Sequence, residues 1–192
     1  MFLNKIRIKD EPILEPFLRW LRFESCKNFY LPHLKILDYG CGPTFPFYKY
    51  LTSRNFLPSL YIGCDPLLKS LTNDKSFKTV NSLTSIHQKF DIISMFAVLE
   101  HVDYPGYDFT FLTKHLRRDG LLMLTTPSPA GKSVLEFLCY RLGLVSKREI
   151  DEHKHYYSIQ EIESIFTHLG FKKVVARHYF LNWIIAAVFQ KT

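Results

Sequence analysis

Residues 38–44 read Asp-Tyr-Gly-Cys-Gly-Pro-Thr, a glycine-rich turn with a carboxylate two positions ahead of its first glycine. Such a turn, set between a strand and a helix, lets backbone approach a ligand closely at the carboxyl edge of a sheet. Nucleotide and dinucleotide sites use the same device, so the surrounding residues decide what the ligand is. The dinucleotide pattern G-x-G-x-x-G requires glycine at position 45, where this chain carries Phe45. After Asp38 no Lys or Arg occurs until Lys49. A carboxylate without a nearby cation repels a pyrophosphate and suits a ligand carrying a sulfonium and an ammonium. Further on, Asp65 closes a second apolar run, a position from which a carboxylate can accept bonds from both ribose hydroxyls. Each such charge-assisted bond is worth about 1.5–3 kcal/mol.

Two further groups could act on a substrate. Glu100-His101 follows an apolar run ending near residue 96, and His101 there serves either as a general base or as part of a loop or helix cap. The run Asp151-Glu152-His153-Lys154-His155-Tyr156-Tyr157 holds two histidines two residues apart. Zinc chelation by that pair lacks a supporting Cys or His pattern, and no metal site is expected.

The elements that must position these groups follow from periodicity. Short apolar runs at 34–39, 60–64, 77–80, 91–95 and 120–125 alternate with amphipathic stretches. Strands apolar on both faces and spaced by helices predict a parallel sheet covered on both sides. Ser158 and Glu161 form a capping box opening a helix that Gly170 ends, with Ile162, Ile165, Phe166 and Leu169 on one face. Two more strands, about 172–179 and 182–190, are too close in sequence to pair other than antiparallel. An N-terminal helix is expected over about 11–30, with Phe17, Leu18, Leu21 and Phe29 as its apolar residues. A helix containing Val134, Leu135, Phe137, Leu138, Cys139 and Leu142 either packs on it or caps the substrate pocket.

Composition sets the outer bounds. With 192 residues, 47% hydrophobic and 22% charged, the chain suits one α/β domain with a substantial core. The N-terminal MFLNKIRIKDEP has no uninterrupted apolar segment, and the run 183–189 is too short to cross a bilayer. A cytoplasmic protein without a membrane span is the expectation. Cys26, Cys41, Cys64 and Cys139 are scattered, which predicts reduced apolar cysteines rather than a disulfide framework. The net charge of +7 raises the question of nucleic acid, but the basic residues are dispersed in short clusters that suit solvated faces.

The segments Ile36–Gly42, Gly63–Asp65, Phe90–Ile93 and Leu99–Val102 together resemble class I S-adenosylmethionine-dependent methyltransferases of the type 11/12 group. The resemblance spans about 34–190. It implies a three-layer Rossmann-like fold with a seven-stranded, mostly parallel sheet in the order 3-2-1-4-5-7-6, its last strand antiparallel. It further implies S-adenosylmethionine as cofactor. Asp38, Tyr39, Gly40, Cys41 and Gly42 would frame the methionine part; Asp65 and Pro66 would take the ribose. Asn81, Ser82 and Leu83 would meet adenine, and Phe96 and Ala97 would line the pocket. Two departures stand out: Thr44 replaces a third glycine, and Asn81 or Ser82 stands where an aspartate is usual. Some quinone-pathway members hold a metal with E-x-x-E-H. Here Ala97 replaces the first carboxylate, which argues against that site.

On this resemblance the chain divides into an N-terminal helical cap (1–33), a cofactor-binding half (34–126), a lid and substrate segment (127–157) and a final helix with hairpin (158–192). His101 and His155 are its catalytic candidates, with His155 and Tyr156 either walling the pocket or forming a hydrogen-bonded loop. The implied partner is a small-molecule acceptor, methylated on O, N or C by a monomer or homodimer. The rivals are an RNA methyltransferase, for which the N/D-P-P-[YF] tetrad and an RNA-binding module are both missing from the sequence, and a non-catalytic S-adenosylmethionine-binding protein.

Overall fold

The computed structural model describes residues 12–192. Seven strands form one sheet in the order β3-β2-β1-β4-β5-β7-β6. They are β1 (Lys35–Tyr39), β2 (Leu60–Cys64), β3 (Phe77–Val80), β4 (Phe90–Phe96), β5 (Leu116–Pro127), β6 (Phe171–Tyr179) and β7 (Ile184–Lys191). The pairs β1–β2, β1–β4, β2–β3 and β4–β5 are parallel, while β7 runs antiparallel to both β5 and β6. The expected topology is thus observed.

The helices are α1 (Glu15–Glu24), α2 (Pro46–Ser53), α3 (Thr110–His115), α4 (Pro129–Tyr140), α5 (Lys147–Asp151) and α6 (Ile159–His168). Each sheet face has its own core. On one, Leu37, Ile93, Met95 and Leu122 meet Leu112 of α3 and Ile162, Ile165 and Phe166 of α6. On the other, Ile36, Tyr61, Ile92 and Met123 meet Phe23 of α1 and Phe47, Tyr50 and Leu51 of α2. Alternation of side chains across the strands creates the two sets, Ile36 to one side and Leu37 to the other.

Three boundaries differ from expectation. The N-terminal helix covers Glu15–Glu24 and gives way to a 3₁₀ turn at Lys27–Phe29; Glu11, the first position expected for it, lies outside the described residues. Strand β5 starts at Leu116 rather than 120, because Arg117, Arg118 and Asp119 are exposed and the pairing with β4 is irregular there. The charged stretch therefore reads as loop although it belongs to the strand, with Asp119 left-handed (φ 62°). Strand β7 starts at Ile184, after a connection in which Phe180, Leu181 and Asn182 are all left-handed.

A third apolar cluster joins Leu18 and Leu21 of α1 to Leu135 and Cys139 of α4, with Val145 and Ile150. Helix α4 is therefore core packing against the N-terminal helix; Phe137 and Leu142 stay exposed. The capping box of α6 is present in both directions: the Ser158 hydroxyl accepts from the Glu161 amide and the Glu161 carboxylate accepts from the Ser158 amide. Among the described residues no helix is long and apolar enough to cross a membrane.

Candidate active site

The carboxyl ends of β1, β2 and β4 open into a cleft of about 920 Å³. That volume lies near the top of the roughly 300–1,000 Å³ expected of ligand sites, which leaves room for a cofactor and an acceptor together. Its floor is the glycine-rich loop. Gly40 (φ 79°) and Gly42 (φ 63°) are left-handed, as the turn from β1 into α2 demands. A Cβ on Gly40 would sit 2.4 Å from Cγ2 of Val98, whereas one on Gly42 would project into open space. Phe45 is also left-handed (φ 52°), so the backbone turn is kept without the third glycine of the dinucleotide pattern. Pro46 then starts α2, its fixed φ suiting a first helical position.

Asp65 ties this loop to the second strand. Its Oδ2 accepts from the Gly42 amide at 3.0 Å and its Oδ1 from the Leu67 amide at 2.9 Å. A carboxylate oxygen has two lone pairs, so each retains one for a hydroxyl donor. Asp38 is 3% exposed on the cleft floor and accepts hydrogen bonds from the hydroxyls of Tyr61 and Ser94, the latter at 2.7 Å. Burial raises its pKa to about 6, against the opposing pull of those two bonds. The acidic residue thus anchors β1 to its neighbours as well as setting the potential of the floor.

Of the other positions, Cys41, Pro66, Phe96 and Ala97 line the cleft. Phe96 packs on Phe47 and Phe23, and Ala97 is held left-handed (φ 55°) while its amide donates to the Thr125 carbonyl. Tyr39 turns its side chain to the opposite sheet face, onto Phe111 and into a hydrogen bond with Tyr107. Asn81, Ser82 and Leu83 follow β3 outside the cleft lining, with Ser82 capping the 3₁₀ turn Leu83–Ser85.

The far wall assembles around a 3₁₀ turn, Leu99–His101. The Glu100 carbonyl accepts from the amides of Lys154 and His155, laying the loop after α5 across this turn. Alternate residues of that loop then face opposite ways. His153 meets His101 with ring centroids 5.0 Å apart, while His155 bonds Glu161 at 3.0 Å in a separate hollow. His155 and His101 are accordingly not brought together; His153 stands at the pocket wall where His155 and Tyr156 were expected. Tyr156 bonds His153 Nδ1 at 2.9 Å from outside the cleft lining. His101 Nδ1 lies 3.2 Å from the Glu152 carbonyl, a partner that can only accept, so Nδ1 donates and Nε2 is left as the basic nitrogen. Burial and the charges of His101 and Arg22 lower the His153 pKa to about 4. The Glu100 side chain is fully buried, and burial raises its pKa.

Residues unmarked by any motif complete the lining: Glu15, Arg19 and Arg22 from the first helix, and Ser146 and Glu149 around α5. Seven carboxylates (Glu15, Asp38, Asp65, Glu100, Glu149, Asp151, Glu152) face three fixed cations (Arg19, Arg22, Lys154). The cleft is acidic inside a chain of net charge +7. Left-handed glycines with free space beside Gly42, two lone pairs on Asp65, and a cation-poor floor fit a sulfonium-bearing nucleoside and oppose a pyrophosphate.

Comparison with known proteins agrees with this geometry. Residues 14–176 match the family model described as a methyltransferase domain. A ubiquinone biosynthesis O-methyltransferase of Candida albicans is 44% identical over 64 residues, covering 32% of this chain and only 18% of the relative. A SAM-dependent methyltransferase from Archaeoglobus fulgidus superposes with a TM-score of 0.66 at 16% identity, over 92% of this chain and 95% of that one. Magnesium protoporphyrin IX methyltransferase from Synechocystis PCC 6803, solved with bound SAH, superposes with a TM-score of 0.61 at 17% identity, over 98% and 90%. Fold, loop and family model converge: the chain belongs to the methyltransferase domain family.

Proposed function

We propose that this enzyme methylates an oxygen of a small hydroxylated acceptor. The observation that carries this reading is His101, held at the cleft wall by the Glu152 carbonyl with Nε2 as its basic nitrogen. Such a base serves an acceptor that must lose a proton, as a hydroxyl does. The partial likeness to an O-methyltransferase acting in ubiquinone biosynthesis supports the same choice.

The cofactor, when bound, supplies an electrophilic methyl group on a sulfonium. His101 would take the proton of the acceptor hydroxyl as its oxygen gains that methyl group. In-line alignment provides much of the rate, so the chain's task is positioning. Asp65 would hold the ribose. Gly40 and Gly42 would let the backbone meet the amino-acid part, and Phe96 and Ala97 would close the floor. Asn81 and Ser82 would meet the adenine only beyond the cleft lining, which does not include them. The acceptor would be chosen by the stretch 146–154 and by α1, which together form the opposite wall. Over the whole cleft lining carboxylates outnumber cations, which disfavours a polyanion such as RNA.

The test is a screen of phenols, catechols, carboxylic acids, amines and short RNAs for S-adenosylhomocysteine release by the purified enzyme. Turnover confined to hydroxyl acceptors is the expected result. Turnover on amines or RNA alone would refute it.

A further inference from the structure

The structure assigns a contact with an anionic lipid surface to the outward side of α1 and the turn before β7, whichever acceptor the enzyme methylates. Helix α1 and the turn that leads into it present three sides. Leu14, Leu18 and Leu21 pack into the third apolar cluster, while Glu15, Arg19 and Arg22 line the cleft. Ile13, Phe17 and Trp20 fall on the remaining side at the spacing of one helical stripe, and all three are exposed. The usual order of a surface helix is reversed here, with the charged side turned in to the cleft and an apolar side turned out.

The stripe continues onto a second element. Phe17 stacks on Trp20 with ring centroids 6.0 Å apart and meets Phe180 edge-on at 5.6 Å. Phe180 opens the turn between β6 and β7, where it and the next two residues, Leu181 and Asn182, are left-handed. Bulky side chains rarely adopt that backbone, and such conformations cluster where function requires them. Its effect is to leave Leu181 72% exposed. Apolar residues scattered singly on a surface are ordinary, whereas a joined aromatic group on a helix and a neighbouring turn marks an interaction surface.

Charge decides what covers it. The segment just ahead of the stripe, residues 1–9, carries Lys5, Arg7 and Lys9 with no acidic residue, interleaved with Phe2, Leu3, Ile6 and Ile8. Seven of the chain's 18 acidic residues line the cleft beside only three of its 25 lysines and arginines, so the protein outside the cleft is more basic than its net +7. Apolar side chains with adjoining cations match an anionic bilayer: the rings enter the headgroup boundary, and each cation near it is worth roughly a fivefold gain in binding. Tryptophan suits that boundary because its ring is apolar and its N–H polar. A protein partner held stably needs about 800 Å² on each side, more than a few side chains on one helix and one turn supply. Because α1 is also the cleft wall, a bilayer seated on its outer side stands one helix diameter, about 10 Å, from the cleft.

The full chain, without methyl donor or acceptor, is floated with vesicles of phosphatidylcholine alone or with about one third phosphatidylglycerol. Wild type should float with the mixed vesicles, less so as salt rises, and about tenfold more weakly with phosphatidylcholine alone. Trp20→Ser and Leu181→Asn should each weaken binding to the mixed vesicles by about tenfold. Asparagine accommodates the left-handed backbone, so Leu181→Asn keeps the fold and reads the surface alone. Leu57→Asn, which alters an exposed leucine at the opposite end of the strands, should bind as wild type does. The assignment is overturned if wild type floats with neither vesicle, or if Trp20→Ser binds as wild type does. A wild-type dimer in light scattering that Trp20→Ser converts to monomer would overturn it too, by seating a second copy on the stripe. Because no methyl transfer is measured, this outcome is separate from that of the acceptor screen.

Discussion

The Asp65 carboxylate accepts a hydrogen bond from the Gly42 amide at 3.0 Å, locking the end of β2 to the loop that leaves β1. The side chain proposed to take the ribose hydroxyls therefore also holds the backbone that would meet the rest of the cofactor. Replacing it removes both contributions. Asp65→Ala should weaken S-adenosylmethionine binding by about 10- to 100-fold, read by calorimetry. Unchanged affinity would remove Asp65 from the site.

The two left-handed glycines of that loop make a matched pair. Alanine at Gly40 meets Val98 at 2.4 Å and adopts a φ that costs an L-residue about 1–2 kcal/mol, so Gly40→Ala should lower stability by roughly 2–4 kcal/mol. Gly42→Ala incurs only the backbone cost, since nothing lies within 4 Å of its added methyl. Its Tm should fall less, while cofactor affinity should fall at least tenfold if ligand occupies that space. Equal affinity of Gly42→Ala and wild type would show that the cofactor lies elsewhere.

Asp38 has a folded pKa of about 6 against an ordinary value of 3.8, because burial disfavours its charged form. A carboxyl raised in this way stabilises the fold below its unfolded value and loses that contribution as pH rises towards 6. The loss amounts to about 3 kcal/mol at most. Asp38→Asn has no such titration. Its Tm relative to wild type should climb between pH 4 and pH 6 and stay level above, as measured by calorimetry in a pH series. A difference that is flat throughout would mean Asp38 stays close to its unfolded behaviour.

His101→Ala should reduce turnover by about a hundredfold or more while leaving S-adenosylmethionine affinity unchanged, since the ring meets Glu152 and His153 rather than Asp65. Full activity in that variant would make the histidine a purely structural bridge to Glu152.

What could be read in advance divides along a physical line. Leu37, Ile62, Ile93 and Leu122 belong to short, mostly apolar runs, and such runs announce buried parallel strands directly. That Asp38, Gly40, Gly42 and Asp65 share one cleft was legible because the glycine-rich loop and strand ends are local in sequence. The remainder of the cleft lining was not. Arg19 and Arg22 ride on a helix whose pattern reveals only its apolar side, and His153 reaches His101 through a backbone bond to Glu100 that no local spacing encodes. Sequence marked both His153 and His155, yet only the fold decides which of two alternating side chains faces inward.

Strand β7 lies between β5 and β6, with Ile184 to Phe189 buried. During synthesis the long edge of β5 must consequently wait, its hydrogen-bonding groups unmatched, until some sixty residues later in the chain a complementary strand emerges. Chains stopped before Ile184 would present that edge, and the apolar sheet faces beside it, to one another. Aggregation of such fragments, rather than a partly active enzyme, is what this arrangement entails.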